Sequence, residues 1–261
     1  MAKIKKKAMV VFSGGQDSTT CLLWALDKFE EVEGVGFDYG QKHKVEIRCA
    51  RAICSKLKVP YKVINLSFLD DISVSNLVSS SEGNVSEAHS LNASLPSSFV
   101  PYRNMIFLTL ASAYSLKQGA SELVTGVNAT DYSGYPDCRP EFIASLAKTL
   151  GKATDSKAME VTIHTPLMKV TKAETFEMAK KLNGLEMIVE MTHTCYKGDH
   201  KTRHPWGFGC SDCPSCALRK KGFEEFEAGV HLKSKAKPKT EKSVVKKTTA
   251  KSVAKKTTKK S

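Results

Sequence analysis

The sequence predicts an α/β fold, a Rossmann-like doubly wound parallel sheet, followed by a small cysteine-bearing module and a Lys-rich tail. Three observations predict it. Apolar runs of strand length alternate with segments of helical periodicity up to Leu182. The first run opens directly into a Ser/Gly turn with a helix behind it. Four of the eight cysteines gather between positions 195 and 216, ahead of a stretch poor in large apolar side chains.

In order, Ala8–Phe12 is a buried strand, the turn is Ser13-Gly14-Gly15, and Ser18–Leu26 is a helix. Gly34–Asp38 is a second strand. Val45–Leu57 is a helix with Val45, Cys49, Ala52, Ile53 and Leu57 at helical spacing, and Tyr61–Leu66 is a third strand. Strands and helices alternating at these lengths make βαβ units and a parallel sheet. Ser73–Ser98 is polar and rich in Ser and Asn; a connection of that length inside a domain is a lid, a binding loop or an unstructured insertion. The alternation then resumes with helix Asn104–Lys117, strand Glu122–Gly126, loop Val127–Arg139, helix Pro140–Leu150, strand Glu160–Thr165 and helix Thr171–Leu182. Glu190–Gly222 is dominated by Cys, His and Gly and reads as no conventional core element. The expected units are 1–188 for the main domain, 189–232 for the cysteine module packed on it, and 233–261 for a disordered tail.

Charge follows the same division. Of the net +13, residues 233–261 carry +11 (twelve Lys, one Glu), leaving +2 for the first 232 residues. The body is therefore not a basic nucleic-acid surface. The tail is suited to weak, salt-sensitive polyanion binding, or serves as a solvated extension without a partner. The apolar run behind the basic N-terminus ends at once in Ser13-Gly14-Gly15, so it reads as a strand and not an export signal. The longest apolar stretch, Met105–Leu116, falls short of the ~20 residues a bilayer requires. A cytoplasmic protein with reduced thiols is expected.

Ser13-Gly14-Gly15-Gln16-Asp17-Ser18 joins the first strand to the first helix. Glycines allow close backbone approach, a helix N-terminus offers unpaired N–H groups, and the two serines add donors, so the loop suits a pyrophosphate. Asp17 would repel phosphate unless a cation lies between them, which points to Mg²⁺. The plainer alternative is a capped helix start. The spacing is neither that of the Walker loop nor the dinucleotide fingerprint.

The Ser-Gly-Gly-x-Asp-Ser form resembles the PP-loop ATP pyrophosphatases, the adenine nucleotide alpha hydrolase-like enzymes that split ATP between its α and β phosphates. Further segments extend the likeness: FSGGQDSTTCL (12–22), FDYGQKH (37–43) with Glu46, FVPYRN (99–104), TGVNATDYSGYPDCR (125–139) and TPLM (165–168). Together with the cysteines, they make residues 8–223 similar to the 7-cyano-7-deazaguanine synthase family, QueC. The resemblance implies an ATP-dependent ligase that joins 7-carboxy-7-deazaguanine and ammonia, through an adenylated acid and an adenylated amide, into a nitrile in queuosine or related 7-deazaguanine biosynthesis. It also implies a homodimer.

Under that resemblance Ser13, Asp17, Ser18 and Arg103 are the catalytic candidates. Phe12, Ser13, Gly14, Gly15, Gln16, Asp17, Ser18, Thr19, Thr20, Cys21 and Leu22 are the ATP-binding candidates. Tyr39, Gln41, Arg103, Asn104, Asp131, Tyr132, Tyr135, Asp137 and Arg139 are the candidates for the flat, carboxylated substrate. The loop 131–139 offers aromatic faces for stacking, acceptors for exocyclic N–H groups and a guanidinium for a carboxylate or phosphate. A solvated turn would account for Gly134 and Pro136 but not for two Tyr, two Asp and an Arg together. Arg103 suits either charge neutralisation or a surface ion pair. Tyr102 stands where the family often has glycine; it either tightens the pocket or faces solvent.

Cys195, Cys210, Cys213 and Cys216 end in Cys-x-x-Cys-x-x-Cys, a set suited to tetrahedral zinc with no open position. An iron–sulfur cluster or buried thiols are the alternatives; the resemblance favours structural zinc. His200 and His204 lie in the long first gap and could replace one cysteine as ligand. Cys21, Cys49 and Cys54 read as packing residues, and Cys138 as a candidate for the substrate loop. Three other functions compete: an enzyme that stops at the carboxamide; a different PP-loop adenylating enzyme acting on nucleic acid, such as a tRNA thiolase; and a nucleic-acid-binding protein built on the metal module and tail. The near-neutral body counts against the nucleic-acid enzyme. The binding protein leaves the Ser13–Ser18 loop without a purpose and its tail without aromatic residues for stacking.

Overall fold

The computed structural model describes residues 3–69, 88–89, 92–96, 98–129 and 135–235. Five parallel strands form the central sheet: β1 (Ile4–Val11), β2 (Phe29–Asp38), β3 (Tyr61–Asn65), β6 (Glu122–Val124) and β7 (Thr162–His164), in the order β3-β2-β1-β6-β7. Antiparallel pairing of Ala88–His89 (β4) with Asn92–Pro96 (β5) is a separate hairpin within the polar stretch. The chain moves outward from β1 to β3 and then crosses to the other side of β1. The order therefore reverses between β1 and β6, where open parallel sheets bind ligands at their strands' carboxyl ends.

Both faces of the sheet are covered, so β1 reads as a continuous apolar run rather than an alternation. Its side chains still alternate between faces. Ala8, Val10 and Phe12 pack under α1 (Gln16–Lys28) and α2 (Val45–Leu57), with Cys21, Leu22, Ala25, Ala50 and Ile53. Met9 packs on the opposite face with Leu108 and Ala111 of α3 (Arg103–Lys117), and Ile143 and Leu146 of α4 (Pro140–Thr154). Each fully buried Val, Leu, Ile, Phe or Met among them contributes about 1.5–3 kcal/mol. Cys21, Cys49 and Cys54 are buried packing residues, as expected.

The strands and helices expected up to residue 182 are present, with shifted ends. β1 starts at Ile4 instead of Ala8, because basic residues before the apolar run pair with neighbouring strands: Lys7 with Glu33 at 2.6 Å, and Lys6 with Glu122. α4 runs on to Thr154 through Gly151. α5 (Lys172–Lys181) begins with a capping box between Thr171 and Glu174.

The larger correction concerns 190–222, expected to lack a conventional core element. α6 (Leu185–Met191) leads into a short hairpin, β8 (Arg203–His204) and β9 (Gly207–Phe208), and then into the 14-residue helix α7 (Pro214–Glu227). Phe223 and Phe226 of α7 pack on Phe176 of α5, with ring centroids 5.2 and 5.9 Å apart. α7 thereby carries a small apolar core of its own with Ala173, Ala179 and Ile188. A last helix, α8 (Val230–Lys235), crosses the boundary expected at 233 and buries His231 beside Phe226. The expected disordered tail lies outside the described residues beyond Lys235. No described helix is long and apolar enough to cross a membrane.

Candidate active site

In-register pairing of Val10 with Gly34 and with Val124 brings the carboxyl ends of β1 and β6 nearly level, while β2 runs on to Asp38 in the same direction. The loops behind them, 12–15, 39–44 and 125–129, therefore meet at one edge of the sheet. The Ser13–Ser18 loop closes on itself: Ser13 Oγ lies 3.1 Å from Ser18 Oγ, and the Gly15 N–H donates to Ser13 Oγ at 3.3 Å. Gly14 has φ +89°, and a Cβ there would fall 2.4 Å from the Glu46 carbonyl oxygen and 2.6 Å from the Ala50 nitrogen. Only glycine permits that approach to α2. Asp17 is held by Lys172 of α5 at 2.7 and 2.8 Å, so in this structure the cation beside Asp17 is an ammonium.

The loop has a second support, from the far end of the chain. The His193 N–H donates to the Gly14 carbonyl at 3.1 Å. His193 belongs to the segment 192–196 that leads into the cysteine cluster. Behind it, Arg219 of α7 is 1% exposed and donates to the carbonyls of Ile188 (2.7 Å) and Trp206 (2.8 Å) and to Thr194 Oγ1 (3.2 Å). Burial lowers the Arg219 pKa to about 10.

Arg103 is the centre of a further group of side chains. Its guanidinium carbon lies 5.9 Å from the Tyr39 ring centroid and 6.0 Å from that of Tyr135. Burial opposes its charge, but Tyr39, Tyr135, Asp137 and Tyr196 outweigh it and hold the pKa above the ordinary arginine value. Tyr135 Oη is 2.7 Å from Ser98 Oγ, which ties the end of the polar stretch to this group. Glu46, in the first turn of α2, completes the group. Burial raises its pKa to about 7, against the opposing pull of Arg103.

The sequence candidates divide accordingly. Ser13, Asp17 and Ser18 lie together in the loop behind β1, and Tyr39, Arg103 and Tyr135 form a second group. Gln16 is 1% exposed, and both ends of its amide lack a hydrogen-bond partner in the structure. Phe12, Thr19, Thr20, Cys21 and Leu22 have no exposed surface and form the core beneath the loop. Gln41 accepts from the Tyr39 N–H at 2.9 Å and reaches the Phe37 carbonyl at 3.5 Å, so its amide shapes the turn after β2. Asn104 bonds through its main chain to Asp137 Oδ2 and through its side chain to Cys138 Sγ, leaving Asp137 Oδ1 buried and unpartnered. Arg139 is exposed at the start of α4, and Asp131 and Tyr132 lie outside the described residues. Tyr102 faces solvent, 67% exposed, with φ +62°. Sequence reasoning left Lys172, His193, Tyr196 and Arg219 out of the site; Glu46 was visible in the family segment without a role.

The four cysteines do converge. Their sulfur atoms lie within 4.8 Å of one another, with Cys210 and Cys216 at 3.9 Å. A tetrahedral ion with metal–sulfur bonds of ~2.3 Å would set its sulfurs ~3.8 Å apart, so the cluster fits such an ion. The histidine alternatives point elsewhere. His204 stacks on Trp206 and bonds the Gly209 carbonyl at 2.9 Å, while His200 Nδ1 lies 3.3 Å from His193 Nδ1.

The family model described as "Queuosine biosynthesis protein QueC" matches residues 7–227. The 7-cyano-7-deazaguanine synthase of Helicobacter pylori (strain ATCC 700392 / 26695) is 48% identical over 224 residues, covering 86% of this chain and 98% of its own. Those of Wolinella succinogenes and Clostridium botulinum are 44% and 45% identical, covering 85% of this chain and 94% and 97% of their own. The chain belongs to the QueC family, the ATP-dependent synthases of 7-cyano-7-deazaguanine, and that nitrile is what its site has to make.

Proposed function

We propose that adenylation takes place between the Ser13–Ser18 loop and Arg103. What supports this reading is that the Ser13–Ser18 loop and Tyr39 follow the carboxyl ends of the adjacent strands β1 and β2, and that the half-buried Arg103 guanidinium lies near the rings of both Tyr39 and Tyr135. Loop N–H groups and the two serines take the departing pyrophosphate, and Lys172 supplies positive charge beside Asp17. Mg²⁺ accompanies the nucleotide. Arg103 grips the substrate carboxylate while Tyr39 and Tyr135 flank the heterocycle, and the unpartnered Asp137 Oδ1 suits an exocyclic N–H. The metal on Cys195, Cys210, Cys213 and Cys216 is a structural zinc.

A carboxylate becomes a nitrile when both oxygens leave, each as part of AMP. Purified protein with 7-carboxy-7-deazaguanine, ammonium and Mg-ATP should therefore release two AMP and two pyrophosphate per nitrile. One AMP per turnover, with amide as the final product, would overturn the nitrile half of the reading.

The homodimer is likewise a proposal, as is weak polyanion binding by the tail. Because His231 is buried, a truncation should spare α8 and end after Lys235. That variant should keep the catalytic constants of the full chain and lose the salt-sensitive binding of DNA or RNA that the full chain shows. Unchanged nucleic-acid binding would refute the tail's role.

A further inference from the structure

Gly14 lies between two supports that are far apart in sequence. On one side is the α2 backbone, since a Cβ on Gly14 would fall 2.4 Å from the Glu46 carbonyl oxygen and 2.6 Å from the Ala50 nitrogen. On the other is segment 192–196. The His193 N–H donates to the Gly14 carbonyl at 3.1 Å, and a Cβ on Gly15 would fall 3.3 Å from the His193 carbonyl oxygen. One side chain bridges the two supports. His200 Nε2 lies 3.8 Å from Sγ of Cys49, the α2 residue before Ala50, and His200 Nδ1 lies 3.3 Å from His193 Nδ1.

With both imidazoles neutral, the hydrogens of this chain run in one direction. A carbonyl oxygen only accepts, so His193 Nε2, 2.9 Å from the Cys195 carbonyl, carries the ring proton and leaves Nδ1 with a lone pair. His200 Nδ1 then donates to His193, and His200 Nε2 accepts from the Cys49 thiol. We propose that His200 is a positioning residue for ATP, an inference that rests on the assignment of Ser13–Ser18 as the nucleotide loop. It sets the spacing of α2 and segment 192–196, and so holds the loop N–H groups where the pyrophosphate binds. His200 acts through His193 and α2 and does not itself contact the nucleotide. The long stretch between Cys195 and Cys210 thereby has a task besides joining two metal ligands.

The surroundings suit the role. Phe208 of β9 packs on the His200 ring, with centroids 4.7 Å apart. Two residues earlier Gly198 has φ +72°, and a Cβ there would fall 2.5 Å from His43 Cγ, so the same stretch also lies against the 39–44 loop. Arg219 holds segment 192–196 from behind through Thr194 Oγ1 at 3.2 Å. A side chain locked by packing on this many sides transmits position through its hydrogen bonds.

His200→Phe keeps a ring beside Phe208 and removes both hydrogen bonds. The Kd for Mg-ATP, measured by calorimetry without the acid, should rise about tenfold, the loss expected for about one net hydrogen bond. Acid-dependent exchange of labelled pyrophosphate into ATP should still reach a maximal rate within about twofold of the parent once ATP saturates. Metal content should match the parent's. His200→Asn returns a donor to the place of Nδ1, so its Kd should recover to within about threefold of the parent. Cys49→Ala cuts the other end of the bridge and should weaken Mg-ATP about threefold. An unchanged Kd in His200→Phe would overturn the proposal, as would an Asn variant as weak as the Phe variant. A lower maximal exchange rate with Kd unaltered would also overturn it, being the mark of a merely structural role. If His200→Phe does not fold, Cys49→Ala decides, and an unchanged Kd there overturns the proposal. Tight Mg-ATP binding by Gly14→Ala would instead refute the assignment of the loop.

Discussion

Gly14→Ala should abolish adenylation and lower the thermal midpoint by about 10 °C. The new methyl would lie 2.4 Å from one α2 backbone atom and 2.6 Å from another, and neither is the end of a flexible side chain. The left-handed φ of +89° adds strain of its own. Together these cost about 3 kcal/mol or more, and a domain of this size loses about 2–4 °C per kcal/mol. The loop must then move away from α2, which misplaces its N–H groups and breaks the His193 bond to Gly14. Calorimetry with pyrophosphate exchange checks both effects; a variant with normal exchange would show that the loop does not bind phosphate in this conformation.

Cys213→Ser should act through folding before chemistry. Cys213 has no exposed surface and sits among the other three sulfurs. Structural zinc binding is worth about 10–16 kcal/mol in small modules, and that free energy is also folding free energy. Soluble yield should fall sharply, and the surviving protein should hold well under one zinc per chain. Because segment 192–196 also carries the His193 contact, that remnant should show a raised KM for ATP. Iron in the parent protein, or full activity in a stable metal-free form, would refute the zinc assignment.

The order of strands and helices was legible because short apolar runs and Gly-bearing turns are local signals, and β1 with its Ser/Gly loop carries both. Partners distant in sequence were not. Nothing around Lys172 announces that it will meet Asp17, since only the sheet order brings α5 beside that loop. Helix α7 was hidden for a different reason. Its first turn carries Cys216, its buried face includes Arg219 and Gly222, and these obscure the apolar period that Phe223 and Phe226 would otherwise show. The turn-shaping bonds of Gln41 were equally illegible, because a polar side chain beside a binding loop reads the same whether or not it also holds its own backbone.

The bond between Gly14 and His193 also sets an order for the molecule's history. Ribosomes make the nucleotide loop first and its second support almost two hundred residues later. Until α7 has emerged and the four sulfurs have closed, a growing chain carries the phosphate loop without the segment that fixes it. Chains stopped before α7 should therefore neither bind ATP tightly nor consume it, and competence arrives only once that helix has been made.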